Sequence, residues 1–442
     1  MVLTARAALL ALLGVAPIAV SPWPAATFAV LLAALVCAIL ADLTLAAHPD
    51  ALSYRRSGPS SIRLGQTAEL PLTVRNDGPR TARGLIRDAW APSAVARPRE
   101  HRLTLAPGAS ETLMTQLNPV RRGDQHAAAV TARCLGPLGL AGRQRSRPVP
   151  AELRVLPPFL SRKHLPSRLA RLRQIDGSIP VLVRGEGTEF DSLREYVVGD
   201  DVRSIDWRAS ARRNDVVVRT WRPERDRRVV LVLDTGRTSA GRVGLDPISN
   251  SPAAGGWPRL DWSMDAALLL AALAARAGDH VDFLAHDRET RAAVFGAGRT
   301  ELLSRVVDAM APLEPALLES DAAATVSAVL RRTRGRALVV LLTELNASAL
   351  EEGLLPVLPR LCARHQVLIA SVADPRVQEL AAGRADAAAV YDAAAAERAR
   401  NERRGIASRL RMMGVEVVDA PPDELAPALA DRYLGMKAAG RL

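Results

Sequence analysis

The spacing of apolar residues divides the chain into successive regimes. Ala7 to Val20 is continuously apolar, Ser21-Pro22-Trp23-Pro24 interrupts, and Ala25 to Ala41 is apolar again until Asp42. Two such spans around a proline turn predict a transmembrane helical hairpin over residues 1–50, with Trp23 as an interfacial anchor. Each arm is at the short end of the roughly 17 to 25 residues that cross a bilayer, and Val2, Leu3 and Leu43 to Ala47 extend them. Over residues 57–156 the period becomes two. Leu70, Leu72 and Val74 share one face of AELPLTVRN, which runs into the turn Asn76-Asp77-Gly78-Pro79. Further strands are predicted over 85–90, 102–105, 111–117, 125–132 and 152–156, the pattern of an immunoglobulin-like β-sandwich. A connecting helix is predicted within Lys163 to Ile175 and belongs, with the charged segment after it, to residues 160–227. From 228 to 442 near-continuous apolar strands (229–233, 281–285, 292–295, 338–342, 367–372, 415–418) alternate with helices (264–276, 300–310, 322–332, 350–364, 393–413, 422–434). That alternation predicts a multidomain chain ending in an α/β doubly wound, mostly parallel sheet.

Composition narrows the classes. With 442 residues, 48% hydrophobic and 24% charged, the chain can bury large cores and is not disordered. The net charge of +12 raises nucleic acid as a partner, but Lys163 and Lys437 are the only lysines and the arginine excess has the character of GC-rich coding bias. With 3% aromatics there are few stacking platforms, so no nucleic-acid function is predicted. The 3 cysteines, Cys37, Cys134 and Cys362, form neither a CxxC nor a zinc pattern. No Lys or Arg lies between Arg6 and Arg55, so both flanks of the hairpin are positive and its turn is not. The positive-inside rule then places both flanks and the C-terminal domains in the cytoplasm, at the inner (plasma) membrane, with the lipid bilayer as a partner. A cleaved signal peptide, with Arg6 in its basic region, is the competing reading.

The densest chemistry is FDSLREYVVGDDVRSIDWRASARR, Phe190 to Arg213. Five carboxylates and five arginines surround Tyr196 and Trp207. Asp191, Glu195, Asp200, Asp201 and Asp206 could hold two metal ions for phosphodiester chemistry. However, the segment has no histidine or lysine to act as a base, and every carboxylate has an arginine close by. Interleaved opposite charges predict an ion-pair scaffold or docking surface instead. Its members are Arg194, Tyr196, Gly199, Asp200, Asp201, Arg203, Asp206, Trp207, Ser210 and Arg212, with Gly199 to Asp201 in a turn and the two aromatics packed on the following domain. GEGTEF (185–190) is not a phosphate-binding loop. Ser192, Ser204 and Ser210 have no histidine nearby, so no catalytic residue is assigned.

Asp234 ends the first strand of the α/β region, and Thr343-Glu344 follows the strand at 338–342. This resembles the von Willebrand factor A domain, whose metal-ion-dependent adhesion site uses DxSxS, a middle threonine and a later aspartate. Asp234 matches the first ligand, Gly236 stands at the first serine, Thr238 at the second, Thr300 at the middle threonine and Glu344 at the aspartate. The resemblance implies a degenerate site whose cofactor, if it binds one, is Mg²⁺. The loop from Gly236 to Leu260, far longer than the usual 2 to 6 residues, would cover that site or meet a partner there. The segment SLREYVVGDDVRSIDWRASARR with PERDRRVVLVLDTG is similar to the bacterial family called domain of unknown function fifty-eight. That resemblance implies a membrane-anchored cytoplasmic adaptor or substrate-binding partner of a MoxR-type AAA+ ATPase, near a transglutaminase-like membrane protein. A divalent-metal-dependent hydrolase and an extracytoplasmic adhesion module are the alternatives.

Overall fold

A proline inside the first apolar run breaks it. In the computed structural model, which describes residues 1–178, 189–197, 202–213, 215–222, 227–247 and 256–442, the run forms two short helices, Ala5–Leu13 and Val15–Val20. Pro17 lies in the second, and its ring excludes the carbonyl four residues back, that of Leu13. The second run is uninterrupted and forms Pro24–Leu45, 22 residues, or about 33 Å at the usual rise. Among the described residues it is the one helix long and apolar enough to cross a membrane; Ala5–Val20 is shorter. The expectation of two equivalent spans is therefore met by one candidate span and a broken partner.

The chain divides into two compact units, Met1–Pro158 and Phe159–Leu442. In the first, both ends of the apolar hairpin join one turn of the β-rich part. Val2 and Leu3 pair antiparallel with Gly142 and Ala141, and the Thr4 hydroxyl donates to the Gly139 carbonyl at 2.7 Å. Asp42, fully buried, accepts the backbone N–H of Leu138 at 2.8 Å, Leu140 at 2.6 Å and Ala141 at 2.9 Å. The β-rich part has a seven-stranded and a four-stranded sheet. Ala68–Asn76 alternates buried and exposed positions as its period predicts, with Leu72 and Val74 sharing a core with Ile86, Leu103 and Val130 of the other sheet. Strands at Leu52–Arg56, Ser61–Arg63 and Ala141–Arg147 add to those predicted. The first of them places residues 52–56 in the sandwich, ahead of the expected boundary at 57. Arg56 forms a buried ion pair with Asp88, which also accepts from Trp90 Nε1 at 3.0 Å.

The second unit begins with the helix Leu165–Ser178. Just before it, the Ser161 N–H and hydroxyl are held by Asp265, at 3.1 Å to the carboxylate and 3.1 Å to the carbonyl. The charged segment contributes a two-stranded antiparallel sheet, Glu189–Glu195 with Val217–Arg222, and the short helix Trp207–Arg213. The main sheet has six strands: β1 (Arg228–Asp234), β2 (His280–His286), β3 (Thr290–Val294), β4 (Ala337–Leu342), β5 (Gln366–Val372) and β6 (Glu416–Ala420). Their order is β3-β2-β1-β4-β5-β6, parallel except for the edge strand β3. Residues 230 to 233 of β1 and the whole of β4 are buried, as expected for central strands covered on both faces. The helices are α1 (Arg259–Arg276), α2 (Leu302–Met310), α3 (Ala322–Arg332), α4 (Leu358–Cys362), α5 (Pro375–Ala381), α6 (Ala387–Met412) and α7 (Pro422–Ala438). Between α3 and α4 the expected single helix over 350–364 is instead a π-helix, Ala349–Leu354, followed by α4. Pro356 and Pro359 explain the division, because neither can donate into a continuous helical ladder.

Candidate functional site

Strand order reverses direction between β1 and β4, the point at which a doubly wound sheet opens a crevice outside its carboxyl ends. A cavity of about 400 Å³ lies there. Its polar lining includes Asp234, Thr238, Ser320, Thr343 and Glu344, with Arg237 and Glu319 among its other charged residues, and Val232, Leu341, Leu350 and Leu354 form part of its apolar wall. Asp234, the last residue of β1, is the hub. Its carboxylate accepts from the Gly236 N–H at 2.9 Å, the Ser320 hydroxyl at 2.5 Å and the Thr343 hydroxyl at 2.6 Å, with Thr238 Oγ1 at 3.5 Å.

The structure restores by another route the hydroxyl that the sequence lacks at residue 236. A Cβ built on Gly236 would lie 2.0 Å from Ser320 Oγ. Ser320 therefore occupies the space that a serine at 236 would need, and the missing oxygen arrives from the loop before α3. Thr300, expected to be the middle threonine, is an exposed turn residue before α2 and does not line the cavity. The physical reason is that the long connection preceding α3, not the one preceding α2, returns the chain to the carboxyl edge of β1. This return is fixed by Arg237 N–H to Leu318 O at 2.8 Å and by Ala316 N–H to Thr235 O at 2.7 Å.

Glu344 reaches the cavity as expected, but it faces guanidinium groups. Its carboxylate lies 3.1 Å from Arg259 Nη2 and 3.6 Å from Arg403 Nη1. Burial pushes the carboxyl above its ordinary pKa, the two arginines oppose this, and Asp419 and Asp234 add to the upward shift. Arg403 is itself engaged, at 2.6 Å from Asp419 Oδ1 and 3.0 Å from Ser371 Oγ. For a divalent ion, Asp234, Thr238, Ser320 and Thr343 are oxygen donors of the right hardness. The second carboxylate is committed elsewhere, however, and the orphaned buried polar atom beside it, Arg259 Nε, is an N–H donor that a cation cannot use. The residues present do not fit an octahedral Mg²⁺ site.

His286 and Thr325 were not anticipated by motif. His286 Nδ1 lies 2.9 Å from Thr325 Oγ1 and 3.1 Å from the Asp287 carbonyl, while the Thr325 hydroxyl donates to the Asp321 carbonyl at 2.9 Å. A carbonyl only accepts, so Nδ1 carries the hydrogen, and this pairing gives Thr325 no base. Asp287 is held below the ordinary carboxylate pKa: burial pushes it upward, but hydrogen bonds from Arg291, the Glu289 and Arg288 amides and Thr235 prevail.

In the charged segment Asp206 caps the helix Trp207–Arg213, accepting from the Arg208 and Ala209 amides at 3.1 and 3.0 Å, and bonds Arg219 at 2.8 Å. Its principal partner thus lies outside the motif, on the neighbouring strand. The amide hydrogen bonds and Arg219 hold its pKa below the ordinary value. Ser210 Oγ donates to the Asp206 carbonyl at 2.8 Å and accepts the Val217 N–H at 2.9 Å, tying helix to strand. Arg194 Nη1 donates to the Glu195 carbonyl at 3.1 Å. Tyr196 is half-buried and its amide bonds Val216 O, whereas Arg203 and Arg212 are exposed. Trp207 is 67% exposed, so the expectation that it packs on the following domain is corrected. Trp207 is the first residue of a helix whose inner face is set by Asp206 and Ser210, and this leaves its ring outward. Gly199, Asp200 and Asp201 lie outside the described residues, as does most of the GEGTEF stretch.

Comparison with known proteins places these features in a family. The family described as "Protein of unknown function DUF58" matches residues 192–416, from the charged segment to the first residue of β6. Uncharacterized proteins of Mycobacterium tuberculosis and Mycobacterium bovis are 27% identical over 203 residues, 45% of this chain and 59% of theirs. The match thus spans well under two thirds of those relatives. Among solved structures, the CARDB domain of a Pyrococcus furiosus protein in complex with di-metal ions aligns at TM-score 0.19 and 15% identity, over 24% of this chain and 91% of that one. The PilB minor pilin of Streptococcus sanguinis aligns at TM-score 0.33 and 8% identity, over 88% and 78%.

Proposed function

This chain belongs to the DUF58 family of proteins of unknown function, and we propose that it is a membrane-anchored adaptor whose α/β unit, of von Willebrand A type, docks a partner at the Asp234 cavity. The observation that carries this reading is the cavity at the β1/β4 switch point together with its rim. Leu317 is 78% and Leu318 53% exposed beside an exposed Arg237–Glu319 pair at 2.9 Å. Apolar side chains held outward next to a polar, hydroxyl-lined crevice have the composition of a contact surface. The family resemblance supplies the partner: a MoxR-type AAA+ ATPase or its client, with a transglutaminase-like membrane protein as a further component. The sequence has no phosphate-binding loop, so ATP would be the partner's. The shared turn that receives both Thr4 and Asp42 supports a hairpin whose two flanks lie on one side of the membrane, and the flanking arginines favour the cytoplasmic side.

The full chain, extracted in detergent from its native host, should retain an AAA+ ATPase, and Leu317→Asp with Leu318→Asp should lose it while the protein stays folded. Wild-type protein that retains no such ATPase would overturn the adaptor reading. Digestion of the C-terminal unit from outside spheroplasts would overturn the cytoplasmic one.

A further inference from the structure

We propose that the guanidinium of Arg259, which pairs with Glu344 behind the lining of the Asp234 cavity, stands in for a divalent cation, so that this site works without metal. The inference rests on the von Willebrand A reading for what a metal would do there, but its geometry belongs to this chain alone.

Three observations converge. The first is saturation of Asp234. An ionised carboxylate has about four lone-pair positions, and here two oxygens meet one amide and three hydroxyls. The second is the neutralisation of Glu344. Arg259 approaches to 3.1 Å and Arg403 to 3.6 Å, with Arg259 only 18% and Glu344 14% exposed. In so dry a place an additional double positive charge would be repelled by groups that cannot swing into water. The third is that the backbone is shaped to admit this guanidinium. A Cβ on Gly241 would fall 2.3 Å from Arg259 Nη1, and the Gly241 carbonyl accepts the Arg259 N–H at 2.8 Å. Within DTGRTSAG, one glycine therefore makes room for the hydroxyl of Ser320 and the other for the guanidinium of Arg259. Both glycines accommodate side chains that arrive from later in the chain and rebuild the site with an internal cation.

The test is titration of the full chain in detergent with Mg²⁺ and Mn²⁺, followed by calorimetry and, for Mn²⁺, by loss of the free-ion paramagnetic signal. The wild type is expected to show no saturable binding at millimolar ion and no change of melting temperature with a chelator. Arg259→Gln, which keeps a polar side chain but releases Glu344, is expected to gain saturable Mn²⁺ binding, whereas Arg403→Gln should not. Saturable binding by the wild type would overturn the proposal, and so would an Arg259→Gln protein that folds yet gains no affinity. If Arg259→Gln fails to fold, the wild-type titration still decides. None of these readouts requires a partner, so failure here is distinguishable from failure of the adaptor reading.

Discussion

Asp42 in the N-terminal unit and Asp234 in the C-terminal unit are both buried or half-buried carboxylates that accept three or more hydrogen bonds, yet their donors differ in kind. Asp42 is held by three backbone amides of one turn. Asp234 is held by one amide and three hydroxyls from three separate segments. Amides cannot reorient without moving the chain, so the first arrangement is a fixed joint. Hydroxyls rotate about their C–O bonds, so the second can adjust its hydrogen bonds without moving the chain. Burial differs in the same sense, complete at Asp42 and partial at Asp234, so donor type and exposure together separate a fixed joint from an adjustable one.

The largest expected effect tests the joint. Asp42→Ala leaves three amides without acceptors, at about 1 to 3 kcal/mol each. It should lower the melting temperature more than any cavity substitution and make the hairpin base sensitive to protease. The next tests whether hydroxyl donors are interchangeable. Gly236→Ser forces Ser320 out and should destabilise by about 1 to 3 kcal/mol, as overpacking does. Combining it with Ser320→Gly should recover most of that loss, and a double variant no better than the single would disprove the exchange.

A third aspartate sharpens the contrast through pH. Burial lifts Asp265 from 3.8 to about 6, against the hydrogen bonds from Ser161. The folded state therefore holds this proton more tightly than the unfolded chain, and the associated stability is present below pH 4 and lost as pH rises to about 6. Asp265→Asn does not titrate, so its stability relative to wild type should rise between pH 4 and 7, by about 1 to 3 kcal/mol. A relative stability that stays flat would refute the shift. The smallest effect on stability belongs to Trp207→Ala, within about 0.5 kcal/mol as for exposed positions generally. A loss of ATPase retention with unchanged melting would show that the exposed ring is a contact.

The sheet was legible in the sequence because its strands are apolar runs of the right length, and each of the six was placed to within two residues. Asp234, Thr238 and Glu344 could be read because they sit at strand ends in a recognisable spacing. Ser320 could not be read, because it returns to Asp234 from 86 residues away and no local pattern encodes such an encounter. Thr300 stands at the middle threonine only by resemblance, and a resemblance says nothing about which loop folds back. Arg259 was hidden for a related reason: it is unremarkable until Gly241 is seen to leave space for it. Asp42 is legible as the end of an apolar run; that it also clamps a turn depends on a strand pairing far downstream.

That distance has a consequence for how the protein is made. Leu138 follows Asp42 by 96 residues, so at about 5 to 20 residues per second the acceptor exists for roughly 5 to 20 seconds before its donors are synthesised. An unpaired carboxylate resists entry into hydrocarbon, so in the anchor proposed here the Asp42 end of the long apolar helix is expected to wait in water for the turn that will hold it.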